Sequence, residues 1–166
     1  MGEPSPPSAG VEAQVSLREV TAQTVRDICN LSVAPGQERF VAPNPVSIAE
    51  AYFCEKAWFR AIYADETPVG FLMLYDDPQK PEYHLWRFMI ADGHQGKGYA
   101  RRAMELIIEH VRRRPMAEEL LLSYVPGEGS PEGFYRGLSF EPTGEVDEGE
   151  VVMRLRLSAH PGRTAQ

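Results

Sequence analysis

The clearest chemical feature of the sequence is a glycine-rich segment, Gln95-Gly96-Lys97-Gly98-Tyr99-Ala100, between a strand-like run and an amphipathic helix. Glycines remove side chains where the strand ends, and the first N–H groups of the following helix have no intrahelical acceptor. Those donors, together with the positive end of the helix dipole, form an anion site that admits a diphosphate. Lys97 adds positive charge. The segment therefore predicts a pyrophosphate-binding loop at residues 95–100.

Two nucleotide-binding patterns do not fit this loop. A P-loop needs a Ser or Thr after its Gly-Lys pair to hold magnesium, and here Lys97 is followed by Gly98 and Tyr99. A dinucleotide-binding loop needs a third glycine and an acidic residue that ends a second strand, whereas Glu119 comes just before a strand. A glycine-rich turn that only permits a tight strand–helix junction remains the alternative interpretation.

Hydrophobic periodicity predicts the elements that must position the loop. The helix from Gly98 to Arg114 has apolar residues at intervals of three and four, and Pro115 ends it. The order βααβββαβαββ predicts an α/β fold in which helices pack on a mixed sheet. Predicted strands cover 14–20, 59–65, 69–75, 83–90, 120–125 and 151–157, with a short one near Val146; the other helices follow Thr21, run from a capping box at Ser47–Glu50 through Ala57, and run from Pro131 to about Leu138 with Ser130 as the cap.

Length and composition bound the class of protein. The 166 residues suit one domain, expected at 13–157, with a low-complexity, disordered tail at 1–12 and a polar, flexible tail at 158–166. A net charge of −7 argues against a nucleic-acid partner and is compatible with a cationic substrate. The N-terminal residues lack the pattern of a signal peptide and no apolar run is long enough for a membrane span, so we expect a cytoplasmic protein with Cys29 and Cys54 reduced.

The loop and its flanks resemble the GNAT family of N-acetyltransferases. The segment from Arg87 to Met104 is similar to that family's Gln/Arg-x-x-Gly-x-Gly/Ala signature, and the order of elements matches over most of the chain. Two further stretches, 40–52 and 85–90, look like bacterial spermine/spermidine acetyltransferases. The resemblance implies a GNAT-type acyl-CoA N-acyltransferase fold with a mixed, mostly antiparallel sheet of six to seven strands and about four helices.

The resemblance also implies a cosubstrate and its contacts. Acetyl-CoA would be the acetyl donor and no metal would be needed. The pantetheine arm would pair with a strand backbone and the pyrophosphate would lie on the loop, with Arg101 or Arg102 as further candidates for the distal phosphates. The implied cofactor-binding residues are Met89, Ile90, Ala91, Gln95, Gly96, Lys97, Gly98, Tyr99 and Ala100.

By the same resemblance, Tyr135 would be the acid that protonates the departing sulfur of coenzyme A, since a phenol is protonated at neutral pH. Glu128 stands where the family often has Asn, and Ser139 replaces a usual glycine. Trp86 occupies the strand position that supplies a carboxylate base in some polyamine acetyltransferases. No base is visible there, and Glu82 and His84, on the same strand face, are the candidates.

The implied function is transfer of acetyl from acetyl-CoA to a small-molecule primary amine, with spermidine or spermine as the leading acceptors. A protein N-terminus, an amino acid or an aminoglycoside is the alternative acceptor, and a non-catalytic coenzyme A sensor is the alternative class. Substrate binding is expected near Glu38, Glu82 and His84. Further acidic residues in or near the expected acceptor loops are Asp76, Asp77, Glu128 and Glu132. A homodimer through the C-terminal strands is compatible with the alternating face of 151–157.

Overall fold

A computed structural model describes residues 12–157 of the chain. They form seven strands and four α-helices, with one 3₁₀ turn at Glu38–Phe40. In chain order the elements are β1 Val15–Arg18, α1 Val25–Asn30, α2 Asn44–Tyr52, β2 Ala57–Ala64, β3 Thr67–Asp77, β4 Glu82–Ile90, α3 Tyr99–Arg112, β5 Glu119–Tyr124, α4 Glu132–Gly137, β6 Glu141–Asp147 and β7 Glu150–Arg156. The predicted tails lie outside these residues except for Glu12.

The seven strands form one sheet in the order β1-β2-β3-β4-β5-β7-β6. Every neighbouring pair is antiparallel except β4 and β5, which are parallel and are connected through α3. A parallel pair cannot be joined by a tight hairpin, so the long crossover through a helix follows from the topology. The predicted α/β architecture with a mixed, mostly antiparallel sheet is confirmed.

Helices cover both faces of the sheet. On one face α3 buries Ala103, Met104, Ile107, Ile108 and Val111, as its periodicity predicts, in the larger of two apolar clusters. That cluster also takes up Met153 and Leu155 of β7, so the alternating apolar face of this strand packs inside the domain. Homodimer formation stays a prediction. The smaller cluster on the other face includes Ile28 of α1 and Phe71 of β3.

The predicted start of α2 is wrong. The helix begins at Asn44, with Pro43 as its N-cap and Pro45 in the first turn, where a missing N–H costs nothing. Ser47 is 0% exposed inside the helix, and Glu50 pairs with Arg87 at 3.0 Å instead of reaching back to the helix start. The apparent capping box is therefore an interior segment.

Other predicted boundaries also move. Helix α2 ends at Tyr52, and Ala57, which was expected to be helical, begins β2. Helix α4 begins at Glu132 after Pro131, with no side-chain cap from Ser130. Strand β6 spans Glu141–Asp147, far more than the short strand predicted near Val146, and it lies at a sheet edge with almost every residue exposed. The strand contains a proline and several charged residues and lacks the alternation of apolar and polar residues that marks a half-buried strand. The sequence pattern therefore does not predict its full length.

Gly70 supplies a test of packing in the central sheet. A Cβ at this position would collide with the backbone oxygen of Met89 and touch Ile90 and Ile62. We predict that Gly70→Ala lowers the free energy of unfolding by about 1–3 kcal/mol, as overpacking does. Gly133→Ala is the matched control, because Gly133 lies in a helix with no atom within 4 Å of such a Cβ. Denaturant titration of both variants checks this, and equal stabilities would contradict it.

Candidate active site

The site originates where β4 and β5 separate. The two strands pair only at His84 with Leu121 and at Leu85 with Leu122, although β4 continues to Ile90 and β5 to Tyr124. A β-bulge begins at the same level, because Met73 of β3 pairs with Arg87 and Leu74 pairs with Leu85, which leaves Trp86 as the extra residue. Bulges increase local twist and often lie beside functional sites. Beyond Leu85, one edge of β4 is therefore open.

The hydrogen bonds of β4 show which of its residues face the opening. The Ala91 N–H donates to the Val69 carbonyl of the β3 side at 2.8 Å, whereas the Ile90 carbonyl accepts from the Gln95 side chain at 2.9 Å. Because backbone direction alternates along a strand, Phe88 and Ile90 point their backbone groups into the opening.

Two of the predicted pantetheine contacts therefore lack a free backbone group on this edge. Met89 lies in register with Phe71 of β3, and the Ala91 carbonyl accepts from the His94 N–H at 3.1 Å. The role of Ile90 stays a prediction, and the backbone of Phe88 has the same orientation. The sequence contains the information needed to include Phe88, because residues two apart on a strand, such as Phe88 and Ile90, direct their backbone groups toward the same edge.

The glycine-rich loop presents a row of unbonded donors. Gly96 has φ 74° and Gly98 has φ 82°, values in the left-handed region that glycine tolerates best. Among the described residues, none accepts a hydrogen bond from the amide N–H groups of 95–101, and the first such bond of α3 runs from Arg102 to Gly98. The first turn carries no acidic residue. This geometry fits an anion, as predicted for the loop.

Gln95 connects the loop to the irregular segment before α2. Its side-chain amide exchanges hydrogen bonds with that of Gln37, at 2.7 and 3.2 Å, while also donating to Ile90. Gln95 therefore satisfies a carbonyl that the strand separation leaves without a sheet partner. Lys97 is exposed, and its side chain lines none of the cavities around the site. Sequence reasoning missed Gln37.

A first cavity of about 360 Å³ lies between the loop, β4 and α4. It contains most of the predicted cofactor-binding residues together with the predicted acid. Its lining includes Ile90, Gln95, Gly96, Gly98, Tyr99, Ala100 and Tyr135, with Phe88, Trp86 and Phe134 as apolar walls. Six predicted cofactor residues and Tyr135, far apart in sequence, thus share one cavity.

Tyr135 is held rigidly beside this cavity. It is 7% exposed, and its ring contacts Phe134 and Phe140 at centroid distances of 5.5 and 5.9 Å. Burial raises the pKa of the Tyr135 phenol above its ordinary value, because the charged form loses solvation. No described residue hydrogen-bonds to its hydroxyl. The phenol is therefore a protonated donor whose partner has to come from within the cavity.

A second cavity adjoins the first at the point of strand separation. Residues common to both linings are Phe40, Val41, Leu85, Trp86 and Ser123. The second lining is acidic, because the β6–β7 hairpin contributes Glu145, Asp147, Glu148 and Glu150 and the 3₁₀ turn contributes Glu38. Its two arginines are engaged: Arg87 pairs with Glu50, and Arg39 donates to the Glu128 carbonyl.

The predicted acceptor residues separate in the structure. Glu38 and His84 line the second cavity, while Glu82 is exposed at the start of β4 and lines neither. Burial lowers the pKa of His84 although Glu82 and Glu119 oppose the shift, so its imidazole is neutral at pH 7. Substrate contact by Glu82 gains no support from its position.

Two of the other acidic candidates form ion pairs away from the cavities. Asp76 pairs with Arg114 at 3.0 Å, and the buried Asp77 lies 3.6 Å from Lys56. Neither lines these cavities. Apart from Glu38, the carboxylates of the second cavity come from the β6–β7 hairpin. The sequence did not indicate them, because charged residues in this stretch look like those of an ordinary solvated loop.

Arg101 and Arg102 lie on α3 outside both cavities. Arg101 donates to the Gly137 carbonyl at 3.2 Å, and Arg102 pairs with Glu105 at 2.9 Å. Cys29 and Cys54 are free and half-buried. Within residues 12–157, no cluster of His, Cys, Asp or Glu is arranged to hold a metal ion. Over the same range, every helix is too short or too polar to cross a membrane.

The sequence matches a model of the acetyltransferase (GNAT) family over residues 25–140, a span that holds the loop, the opening between β4 and β5, and Tyr135. The chain belongs to this family. Membership makes the protein an acyltransferase, as the sequence resemblance predicts. This acetyltransferase is 26% identical over 151 residues to the spermine/spermidine N(1)-acetyltransferase of Bacillus subtilis, in a match that covers 86% of this chain and 99% of that protein.

Solved structures show the same fold. An acetyltransferase from Thermus thermophilus matches this acetyltransferase with a TM-score of 0.70 at 15% identity, covering 89% of this chain and 100% of that one. The spermidine N-acetyltransferase of Vibrio cholerae, in complex with CoA and spermine, matches with a TM-score of 0.67 at 16% identity, covering 87% and 95%. Structures of this fold thus bind coenzyme A.

The loop geometry predicts a specific loss of binding. We expect Gly96→Ala to weaken coenzyme A binding about 10-fold, because a non-glycine residue costs about 1–2 kcal/mol in the left-handed conformation that orients the loop donors, so the loop shifts and the donors lose their alignment. Gly93→Ala is the matched control, with φ 82° and equally open surroundings but no place in either cavity lining. Calorimetric titration with coenzyme A measures both. Equal affinities would remove Gly96 from the anion site.

Proposed function

We propose that this acetyltransferase transfers the acetyl group of acetyl-CoA to a primary amine of a polyamine such as spermidine or spermine. The observation that carries the proposal is the pair of joined cavities, one rich in unbonded amide donors and the other rich in carboxylates. The first suits a diphosphate anion and the second a chain of ammonium groups. They share Trp86 and Ser123 in their linings, and Tyr135 lines the first of them.

The cosubstrate would follow the open edge of β4. Backbone groups of Phe88 and Ile90 face the opening and would pair with the amides of the pantetheine arm as a missing strand would. The N–H groups of the loop and the start of α3 would hold the pyrophosphate. Gln95 would fix the loop against Ile90 and Gln37 rather than carry charge. This arrangement delivers the thioester to the junction of the two cavities.

Tyr135 would complete the acyl transfer. The neutral amine attacks the thioester carbonyl, a C–N bond forms, and the C–S bond then breaks and leaves a thiolate. The Tyr135 phenol lines the first cavity and is protonated, so it can donate its proton to that sulfur. Burial makes the tyrosinate unstable, which drives its reprotonation after each cycle.

The acceptor would lie in the second cavity. Five carboxylates from two elements, Glu38, Glu145, Asp147, Glu148 and Glu150, line it against two arginines that are already engaged. A cavity of one sign raises the local concentration of the opposite ion, and several separated carboxylates suit a molecule with several ammonium groups. The relatives named for spermine and spermidine acetylation support this class of acceptor.

An acceptor panel tests the proposal. We expect thiol release from acetyl-CoA to be fastest with spermine or spermidine, with a specificity constant that falls as salt rises, because the attraction is Coulombic. Peptides with free N-termini, amino acids and aminoglycosides form the rest of the panel. Preference for any of these over polyamines would contradict the acceptor class. Tight coenzyme A binding without turnover on any amine would instead indicate a sensor.

The role of Tyr135 has its own test. Tyr135→Phe keeps the ring that packs against Phe134 and Phe140 and removes only the hydroxyl. We expect kcat to fall about 10²-fold or more, in the range typical of a lost general acid, while the affinity for coenzyme A changes little. Rapid-mixing kinetics and calorimetry separate the two quantities. An unchanged kcat would remove Tyr135 from the mechanism.

A further inference from the structure

The acceptor amine has to lose a proton, and the position expected for a carboxylate on β4 is Trp86. His84 pairs with Leu121 and Leu85 with Leu122, so the next residue of each strand, Trp86 and Ser123, lies at the level where the strands separate. Trp86 of β4 supplies no proton acceptor at this level, and Ser123 of β5 supplies a polar side chain instead. Ser123 is exposed and open to the cavities.

Ser123 has a distinctive place among the residues at the junction. Of the five that line both cavities, Phe40, Val41, Leu85 and Trp86 offer no side-chain atom that readily accepts a proton. The Ser123 hydroxyl oxygen can accept one. His84 and Glu38 line only the second cavity, and the Glu38 carboxylate accepts a hydrogen bond from Gly36 N–H at 2.8 Å.

The Ser123 hydroxyl is already oriented. It donates to Oε2 of Glu150 at 2.5 Å. A carboxylate only accepts hydrogen bonds, so the serine hydrogen points at Glu150 and the lone pairs of Oγ remain available to an N–H from the cavity. Glu150 is half-buried at the start of β7, beside the register pairs of Tyr124 with Val151 and Ser123 with Val152. The backbone ladder thus fixes both members of the pair.

We propose that Ser123 and Glu150 form the proton-accepting relay for the acceptor amine. This inference rests on the proposed function. As the amine nitrogen bonds to the thioester carbonyl carbon, the nitrogen gives a proton to Ser123 Oγ, and the serine hydroxyl proton passes to the Glu150 carboxylate. The C–S bond breaks and Tyr135 protonates the sulfur. One proton leaves nitrogen and one reaches sulfur, and Glu150 and Tyr135 return to their starting states by exchange with water.

The relay explains how the site works without a carboxylate at the Trp86 position of β4. A serine hydroxyl alone is too weakly basic to hold a proton, and a hydrogen-bonded carboxylate removes that limit by taking the hydroxyl proton in the same step. The other carboxylates and the imidazole that line the acceptor cavity belong to Glu38, Glu145, Asp147, Glu148 and His84. Like Glu150 they do not line the first cavity, but only Glu150 among these groups hydrogen-bonds to a residue that does, Ser123.

Two substitutions test the relay. Glu150→Gln keeps an oxygen that accepts the Ser123 hydrogen bond but cannot take up the proton, so the local structure survives while the chemistry is lost. Ser123→Ala removes the first acceptor. We expect each variant to lower kcat about 10²-fold with the preferred amine, and the double variant to be no worse than either single one, because the two residues act as a unit. Glu150→Asp should recover part of the rate.

The pH dependence gives a readout that a structural role would not move. The deficit of both variants should shrink as the pH rises from about 7 toward 9.5, because hydroxide can then take the proton from the attacking nitrogen in place of the relay. Glu141→Gln is the matched control: it removes one charge from the same hairpin, lines neither cavity, and should leave kcat and KM within about twofold of the parent. Circular dichroism and coenzyme A titration verify folding of every variant.

The outcomes separate the relay from the function on which it rests. A higher KM for the amine with unchanged kcat would make Glu150 a binding group and overturn the relay. A deficit that is constant with pH, or additive losses in the double variant, would overturn it as well. Polyamine turnover by the parent protein stands as the test of the function in each case. If no amine supports turnover, the proposed function fails and the relay with it.

Discussion

The separation of β4 from β5 is the constraint on which the site depends. Two parallel strands that stayed paired to their ends would satisfy their own backbone groups and leave no room between them. Here the pairing stops after Leu85 and Leu122, at a bulge centred on Trp86. The exposed backbone of Phe88 and Ile90 then requires partners, since unpaired backbone groups are costly when removed from water. The Gln95 side chain donates to the Ile90 carbonyl, and the other backbone groups of Phe88 and Ile90 on this edge face the first cavity.

Opposite electrostatic environments meet at this opening. On one side, the loop and the start of α3 direct unbonded N–H groups outward, without an acidic residue in the first turn to compete. On the other, the β6–β7 hairpin brings carboxylates together at the end of the sheet. The proposed reaction joins an anionic donor to a cationic acceptor, and a neutral boundary between the two fields would keep the charges from attracting each other. Phe40, Val41, Leu85 and Trp86 supply that boundary.

The sequence by itself determined the elements whose signal is local. The period of α3 identified its buried face, and Gly96 and Gly98 between a strand and a helix identified the anion site, because glycine tolerance of positive φ and the free N–H groups of a helix start are properties of short segments. The family resemblance added Tyr135, which the structure places beside that loop. Local patterns misled at Ser47 and Ser130, where a cap was inferred from residue type although the helix starts are set by packing and by the neighbouring prolines.

Only the tertiary structure decided which residues line the second cavity. The Ser123–Glu150 contact spans 27 positions, and the Gln37–Gln95 pair spans 58, so neither has a local pattern to reveal it. Likewise, Asp76 and Asp77 looked like acceptor residues until the fold placed Arg114 and Lys56 beside them. Charged side chains look alike along a chain whether they are solvated, paired or gathered in a cavity. Their role depends on which distant strands become neighbours, and the strand order fixes that.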